Sequence, residues 1–253
     1  MEIKPLERLD ATVRIPGSKS YTQRAMVIAA LAEGESLLRN ALLSDDTRIL
    51  ATALGNLGAH IRTEGARTVV RGNGGRIAFP SREIHLGNNG TAMRLLAGVA
   101  SLGEGPVVLT GDPRMRERPM KPLLEALRAL GVDVRTANDG GYPPVTIRGG
   151  RLSGGEVVFK EIESSQYVSA ILIAAPFADK ATTILLEGRV PSLPYIALTV
   201  ETMNAFGAEV AVDLPGRFVV KGGQRYRGRE YRIEGDVSSA SYFFLAAVLT
   251  KGR

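Results

Sequence analysis

The chain has 253 residues, 44% of them hydrophobic, a formal net charge of +6 and no cysteine, a length that holds one large core or two smaller domains. The lack of cysteine excludes disulfides, thiolate nucleophiles and cysteine zinc sites, and His60 and His85 alone leave little for a histidine metal site or triad. Basic residues are dispersed and few aromatics interleave with them, which weakens a nucleic-acid reading and leaves a soluble Arg-rich surface or small anionic substrates.

The start, "MEIKPLERLD", has no apolar h-region and no run reaches the ~20 apolar residues of a membrane helix, so a cytoplasmic location and no membrane partner are expected. Residues 1–13 read as an N-terminal strand or crossover segment. Then "PGSKSYTQRAMVIAAL" places Ser-Lys-Ser and Arg24 at the mouth of an uninterrupted apolar run, Ala25 to Leu31. A helix that is apolar all round is a buried helix. An amphipathic helix over about 45–57 closes on "LGNLGAHI", with Gly58 where a C-cap belongs. "TVVRG" reads as a strand, and "GNGGR" at 72–76 as a hairpin turn lacking dinucleotide-loop spacing.

"NNGTAMRLLAGVA", from Asn88, repeats the polar start and apolar run. Its Asn-Gly-Thr matches a glycosylation sequon but lies at a helix start. The strand "PVVLTG" follows, then "GDPRMRERPMKPLLEAL", which carries four basic residues between Arg114 and Lys121. Pro119 suits the first turn of a helix over about 119–130 that closes on "LRALGVDV" at Gly131. The third copy runs through "EVVF", "SSQYVSAILIAA" from Ser164, "TTILLEG" and "VPSLPYIALTV", where Ser192 and Tyr195 have a capping and packing reading. Its helix, about 194–206, closes on "MNAFGAEV" at Gly207. "DVSSASYFFLAAVL", from Asp236, opens a fourth copy that goes no further than its first helix.

Three units over about 14–234 imply pseudo-threefold symmetry, with the inner helices side by side and their N-termini on one face. A helix N-terminus offers free N–H groups and about half a positive charge, so converging N-termini make an anion site. Ser18, Lys19, Ser20, Asn88, Asn89, Gly90, Thr91, Ser164, Ser165, Gln166, Ser238 and Ser239 stand at those starts. Ser, Asn and Asp also cap helices anywhere, but capping needs no lysine.

These stretches, in this order, resemble the signature motifs of the 5-enolpyruvylshikimate-3-phosphate synthase family over essentially the whole chain. The resemblance implies an α/β, inside-out fold of repeated βαβαββ-type units with buried parallel helices and outward sheets. It implies transfer of enolpyruvyl from phosphoenolpyruvate to the 5-hydroxyl of shikimate 3-phosphate, by addition and elimination of phosphate, in aromatic amino acid biosynthesis. No metal or organic cofactor takes part, and a monomer is expected. Carried over by motif, Lys19 is catalytic and touches both substrates; Ser20, Arg24, Ser164, Ser165, Gln166, Ser192 and Tyr195 hold shikimate 3-phosphate. Asn88, Gly90, Thr91, Arg118 and Gln166 take phosphoenolpyruvate, and Asp236 sits near the domain crossover. Residues 235–253 are then the crossover and first helix of a second domain, which in the family carries the aspartate base, a glutamate and further cations. On that basis this chain alone is a substrate-binding half with little turnover, and 236–253 is short of packing partners.

The chain departs from the family pattern at Gln23, Asn89, Leu95, Leu193 and Ala197. Asn89 and Leu95 lie on or beside the Gly90 helix, which bears on phosphoenolpyruvate affinity and on the inhibitor glyphosate. The sister enzyme acting on UDP-N-acetylglucosamine has Lys-Asn where this chain has Lys19-Ser20, and mostly uses a cysteine that is absent here. RNA-cyclase-type modules, which bind RNA ends, use a histidine in a glycine-rich context that neither His60 nor His85 has.

Overall fold

A computed structural model describes residues 8–137, 140–150, 152–214 and 216–252. The first unit comprises helix α1 (Lys19–Leu31), strand β1 (Glu35–Arg39), helix α2 (Asp45–Asn56) and strands β2 (His60–Glu64) and β3 (Arg67–Arg71). The second comprises β4 (Ile84–His85), α3 (Gly90–Ala100), β5 (Pro106–Thr110), α4 (Lys121–Ala129), β6 (Asp133–Thr136) and β7 (Val145–Arg148). The third comprises β8 (Gly155–Lys160), α5 (Gln166–Ala174), β9 (Thr182–Glu187), α6 (Leu193–Ala205), β10 (Val210–Leu214) and β11 (Arg217–Val220). Strand β12 (Glu230–Arg232) and helix α7 (Val237–Thr250) follow.

Each unit builds a four-stranded sheet of one design: β4-β5-β7-β6, β8-β9-β11-β10 and β12-β1-β3-β2. The first pair in each sheet is parallel and the others are antiparallel. A parallel pair needs a crossover, and in the second and third units the inner helix supplies it. In the first unit the edge strand comes from the far end of the chain. Leu37 pairs with Glu230 and Arg39 with Arg232, which closes the ring of units.

The inner helices bury nearly every residue: Thr22 to Leu31 in α1, Ala92 to Ala100 in α3, Tyr167 to Ala174 in α5. Helix α3 packs against α1 and α5, and α6 against both of them. The sheets lie outside this layer, each with a buried and an exposed face, as in the alternation of β3 and β5. The outer helices end where their glycines predict, with Gly58, Gly131 and Gly207 at φ of +100°, +90° and +91°.

Three local expectations change. Helix α4 begins at Lys121, so Pro119 lies outside it and Pro122 occupies the first turn. Residues 74–75 form a turn but not a hairpin, because the next strand, β4, belongs to another sheet. Of the expected strand segment 1–13, residues 1–7 lie outside the described residues and 8–13 have no regular structure. Helix α7 is fully formed, yet Ala240 is the single buried residue along it.

Candidate functional site

The starts of α1, α3, α5 and α6 open on one cleft of about 350 Å³. It is lined by Lys19, Ser20, Arg24, Asp46, Asn88, Asn89, Gly90, Thr91, Arg118, Glu163, Ser164, Ser165, Gln166, Ser192 and Tyr195. Every motif residue assigned to a substrate in the sequence is therefore in one place. Asp236 is not among them. It caps α7, its carboxylate accepting from the Ser238 N–H at 3.1 Å and the Ser239 hydroxyl at 3.0 Å. A larger depression of about 670 Å³ lies near the other ends of the inner helices, by Glu33, Leu102 and Phe177, and holds none of the motif residues.

Capping accounts for only part of this face. Asn89 caps α3, its side-chain oxygen accepting from the Ala92 N–H at 3.0 Å. Ser18, Ser165 and Ser192, at the caps of α1, α5 and α6, accept no such bond with their side chains. Ser164 accepts from the Gln166 N–H at 3.2 Å. Ser192 sits at φ +61°, a left-handed conformation uncommon for a residue with a side chain and typical of functional positions.

The cations differ in how they are held. Arg24 is 1% exposed. Its Nε donates to Thr199 Oγ1 at 2.8 Å, Nη1 to the Ser20 carbonyl at 3.2 Å and Nη2 to Ser169 Oγ at 3.3 Å, and Cζ lies 5.5 Å from the centre of the Tyr195 ring. Burial pulls its pKa down to about 10, which leaves it charged at neutral pH. Lys19 is half-exposed and its Nζ donates to Asp46 Oδ2 at 2.9 Å. Asp46 is brought there by a capping box, Ser44 with Thr47, that starts α2. Its carbonyl accepts from Asn89 Nδ2 at 2.8 Å, tying the start of α2 to that of α3. Arg118 donates to the Asn88 carbonyl at 3.2 Å and lies over Gly90, where a Cβ would come within 2.5 Å of its guanidinium. Gln166 Nε2 donates to Thr91 Oγ1 at 2.9 Å, and Gln166 Oε1 accepts from Arg94 at 2.6 Å. Several N–H and O–H donors and three cations in one cleft are an arrangement suited to small, multiply charged anions.

Residues 3–253 match the family described as EPSP synthase (3-phosphoshikimate 1-carboxyvinyltransferase). The chain belongs to the EPSP synthase family. It is 44% identical over 257 residues to the 3-phosphoshikimate 1-carboxyvinyltransferase of Salmonella schwarzengrund (strain CVM19633), covering 100% of this chain and 60% of that protein. It is equally similar, 44% over 256 residues, to the protein of that name from Cronobacter sakazakii (strain ATCC BAA-894). The solved EPSP synthase of Acinetobacter baumannii superposes with a TM-score of 0.86 at 28% identity, over 94% of this chain and 53% of that one. The chain thus spans about 60% of the length of the curated relatives it matches. The mixed α/β fold is the EPSP synthase fold.

Sequence reasoning missed several residues in and behind this EPSP synthase-family cleft. Asp46 and Glu163 put two carboxylates into a site expected to be basic and neutral-polar. Ser169 and Thr199 hold Arg24 from α5 and α6. Arg94, 6% exposed, holds Gln166 from behind. Among the described residues no group of three or more His, Cys, Asp or Glu is placed to hold a metal ion, and no helix is long and apolar enough to cross a membrane.

Proposed function

We propose that the cleft binds shikimate 3-phosphate and phosphoenolpyruvate and serves enolpyruvyl transfer to the 5-hydroxyl of the former. One observation carries this reading: Lys19, Arg24, Arg118, Ser164, Ser165 and Gln166 converge on a single cleft at the helix starts. Ser164, Ser165 and Ser192 take the 3-phosphate, Ser20 and Arg24 the carboxylate end, and Tyr195 the ring. Arg118, Gly90, Asn88 and Thr91 take phosphoenolpyruvate, with Gln166 reaching both ligands. Lys19, between the two, places a cation by the reacting carbons, and Asp46 holds it there before a ligand arrives.

In the reaction the 5-hydroxyl oxygen adds to C2 of phosphoenolpyruvate while C3 gains a proton. The tetrahedral adduct then loses a proton from C3 and inorganic phosphate from C2. Residues 14–234 act as one substrate-binding domain. By the family resemblance, the base for the 5-hydroxyl belongs to the part of the relatives that these residues do not match.

The deciding experiment is a calorimetric titration of the 253-residue chain with shikimate 3-phosphate, and with shikimate as control. Binding that requires the phosphate supports the reading. No binding by a chain shown to be folded overturns it. Turnover by the same chain, followed as phosphate release, is expected to be weak or absent, because proton transfer needs a base within hydrogen-bond reach of the 5-hydroxyl.

A further inference from the structure

Arg94 lies behind the cleft and does not line it. Its guanidinium stacks 5.1 Å from the centre of the Tyr167 ring and donates to the Pro119 carbonyl at 3.3 Å. Tyr167 donates to the same carbonyl at 2.8 Å, so the ring and the carbonyl that hold the cation are tied to each other. Its other arm reaches Gln166 Oε1 at 2.6 Å.

A guanidinium has only N–H donors. The amide end that faces it must therefore be the carbonyl, because a flipped Gln166 would set N–H against N–H. The Gln166 amino group is then turned to the other side, where it donates to Thr91 Oγ1 at 2.9 Å. Having accepted that bond, the Thr91 hydroxyl keeps its own proton to donate. The row Arg94, Gln166, Thr91 leaves two protons to donate, the second N–H of Gln166 and the O–H of Thr91, on residues that line the cleft. Each bond in such a row polarises the next.

We propose that Arg94 is a positioning residue that fixes the hydrogen-bond polarity of the cleft, holding Gln166 and Thr91 as donors toward a bound anion. This rests on the anion-site reading given above for the ligand, but not for the orientation of Gln166.

Two arms separate these. In a ¹⁵N-labelled chain, the side-chain amide signals of Gln166, assigned by their loss in Gln166→Met, are expected to move toward free glutamine in Arg94→Met and to stay nearer their place in Arg94→Lys. Unmoved signals in a folded Arg94→Met overturn the proposal. In calorimetry, phosphoenolpyruvate is expected to bind about tenfold more weakly to Arg94→Met, with partial recovery in Arg94→Lys. Gln166→Glu keeps the contact to Arg94 but offers Thr91 only an acceptor, so it draws the hydroxyl proton out of the cleft. A similar tenfold loss is expected of it. Unchanged affinity in Gln166→Glu overturns the proposal, and this variant decides the matter if Arg94→Met does not fold. If the parent chain binds no phosphoenolpyruvate, the ligand reading fails, and the amide signals alone decide on Arg94.

Discussion

Arg24 shows how a residue can serve a site at the expense of the core. Its charge is surrounded by α1, α5 and α6 and satisfied by two hydroxyls and a carbonyl. A buried ion held this way is rarely worth more to stability than an apolar side chain of the same volume. Arg24→Met is therefore expected to keep or raise the melting temperature while weakening shikimate 3-phosphate binding by about 100-fold. Thermal unfolding and calorimetry on the same sample check this. A lower melting temperature with intact binding would make Arg24 a structural residue. Gly90 poses the opposite case. A Cβ there would press on the far end of the Arg118 side chain, which is free to swing aside. Gly90→Ala is expected to leave stability nearly unchanged and to weaken phosphoenolpyruvate by about tenfold, while shikimate 3-phosphate binds as before. Titration of the variant with each ligand separately tests that selectivity.

Among the elements, the inner and outer helices were legible because their burial is written as composition: uninterrupted apolar runs inside, 3.6-residue stripes closed by glycine outside. Strand β12 was not. It has three residues, Glu230, Tyr231 and Arg232, without an apolar alternation, and it exists because the ring of units leaves the parallel edge of β1 open. At the site, the polar helix starts were legible, and their partners were not. Asp46 reads as an ordinary acid in a first helical turn, and Arg94 is a lone charge inside an apolar run. Only tertiary packing gives either its role. Packing also explains a second threefold pattern, at the other ends of the inner helices. After β3, β7 and β11, a Cβ on Gly72, Gly149 or Gly222 would fall 2.2, 2.4 or 2.3 Å from the carbonyl oxygens of Ala32, Ser101 or Ala178. Those contacts are to backbone, which cannot swing away as Arg118 does. Gly149→Ala is thus expected to destabilise the fold by about 2–3 kcal/mol, read as a lower urea midpoint with an unchanged slope.

At the scale of the whole molecule, two classes of helix stand side by side. Helices α1, α3 and α5 are enclosed by one another and by three sheets, whereas α7 carries an equally apolar sequence into solvent. Val237 is 77% exposed, Phe244 66% and Leu249 73%. Its attachments are at its ends: the Asp236 N–H to the Pro16 carbonyl at 2.9 Å, and the Leu9 N–H to Thr250 Oγ1 at 3.1 Å. A helix of this length without a packed face is marginal in water, because tertiary burial supplies most helical stability. Local opening of α7 is therefore expected to take far less free energy than global unfolding. Amide hydrogen exchange should show 240–250 exchanging fastest among the helices and the amides of α1, α3 and α5 exchanging only with global unfolding. Limited proteolysis should cut within 236–252 and leave a folded core that still binds shikimate 3-phosphate, because no residue of α7 lines the cleft. Protection of α7 equal to that of α5 would mean that this apolar surface is covered in solution. Loss of ligand binding after the cut would mean that the cleft depends on α7, whose start is tied to that of α1 by the Asp236 N–H to Pro16 carbonyl bond.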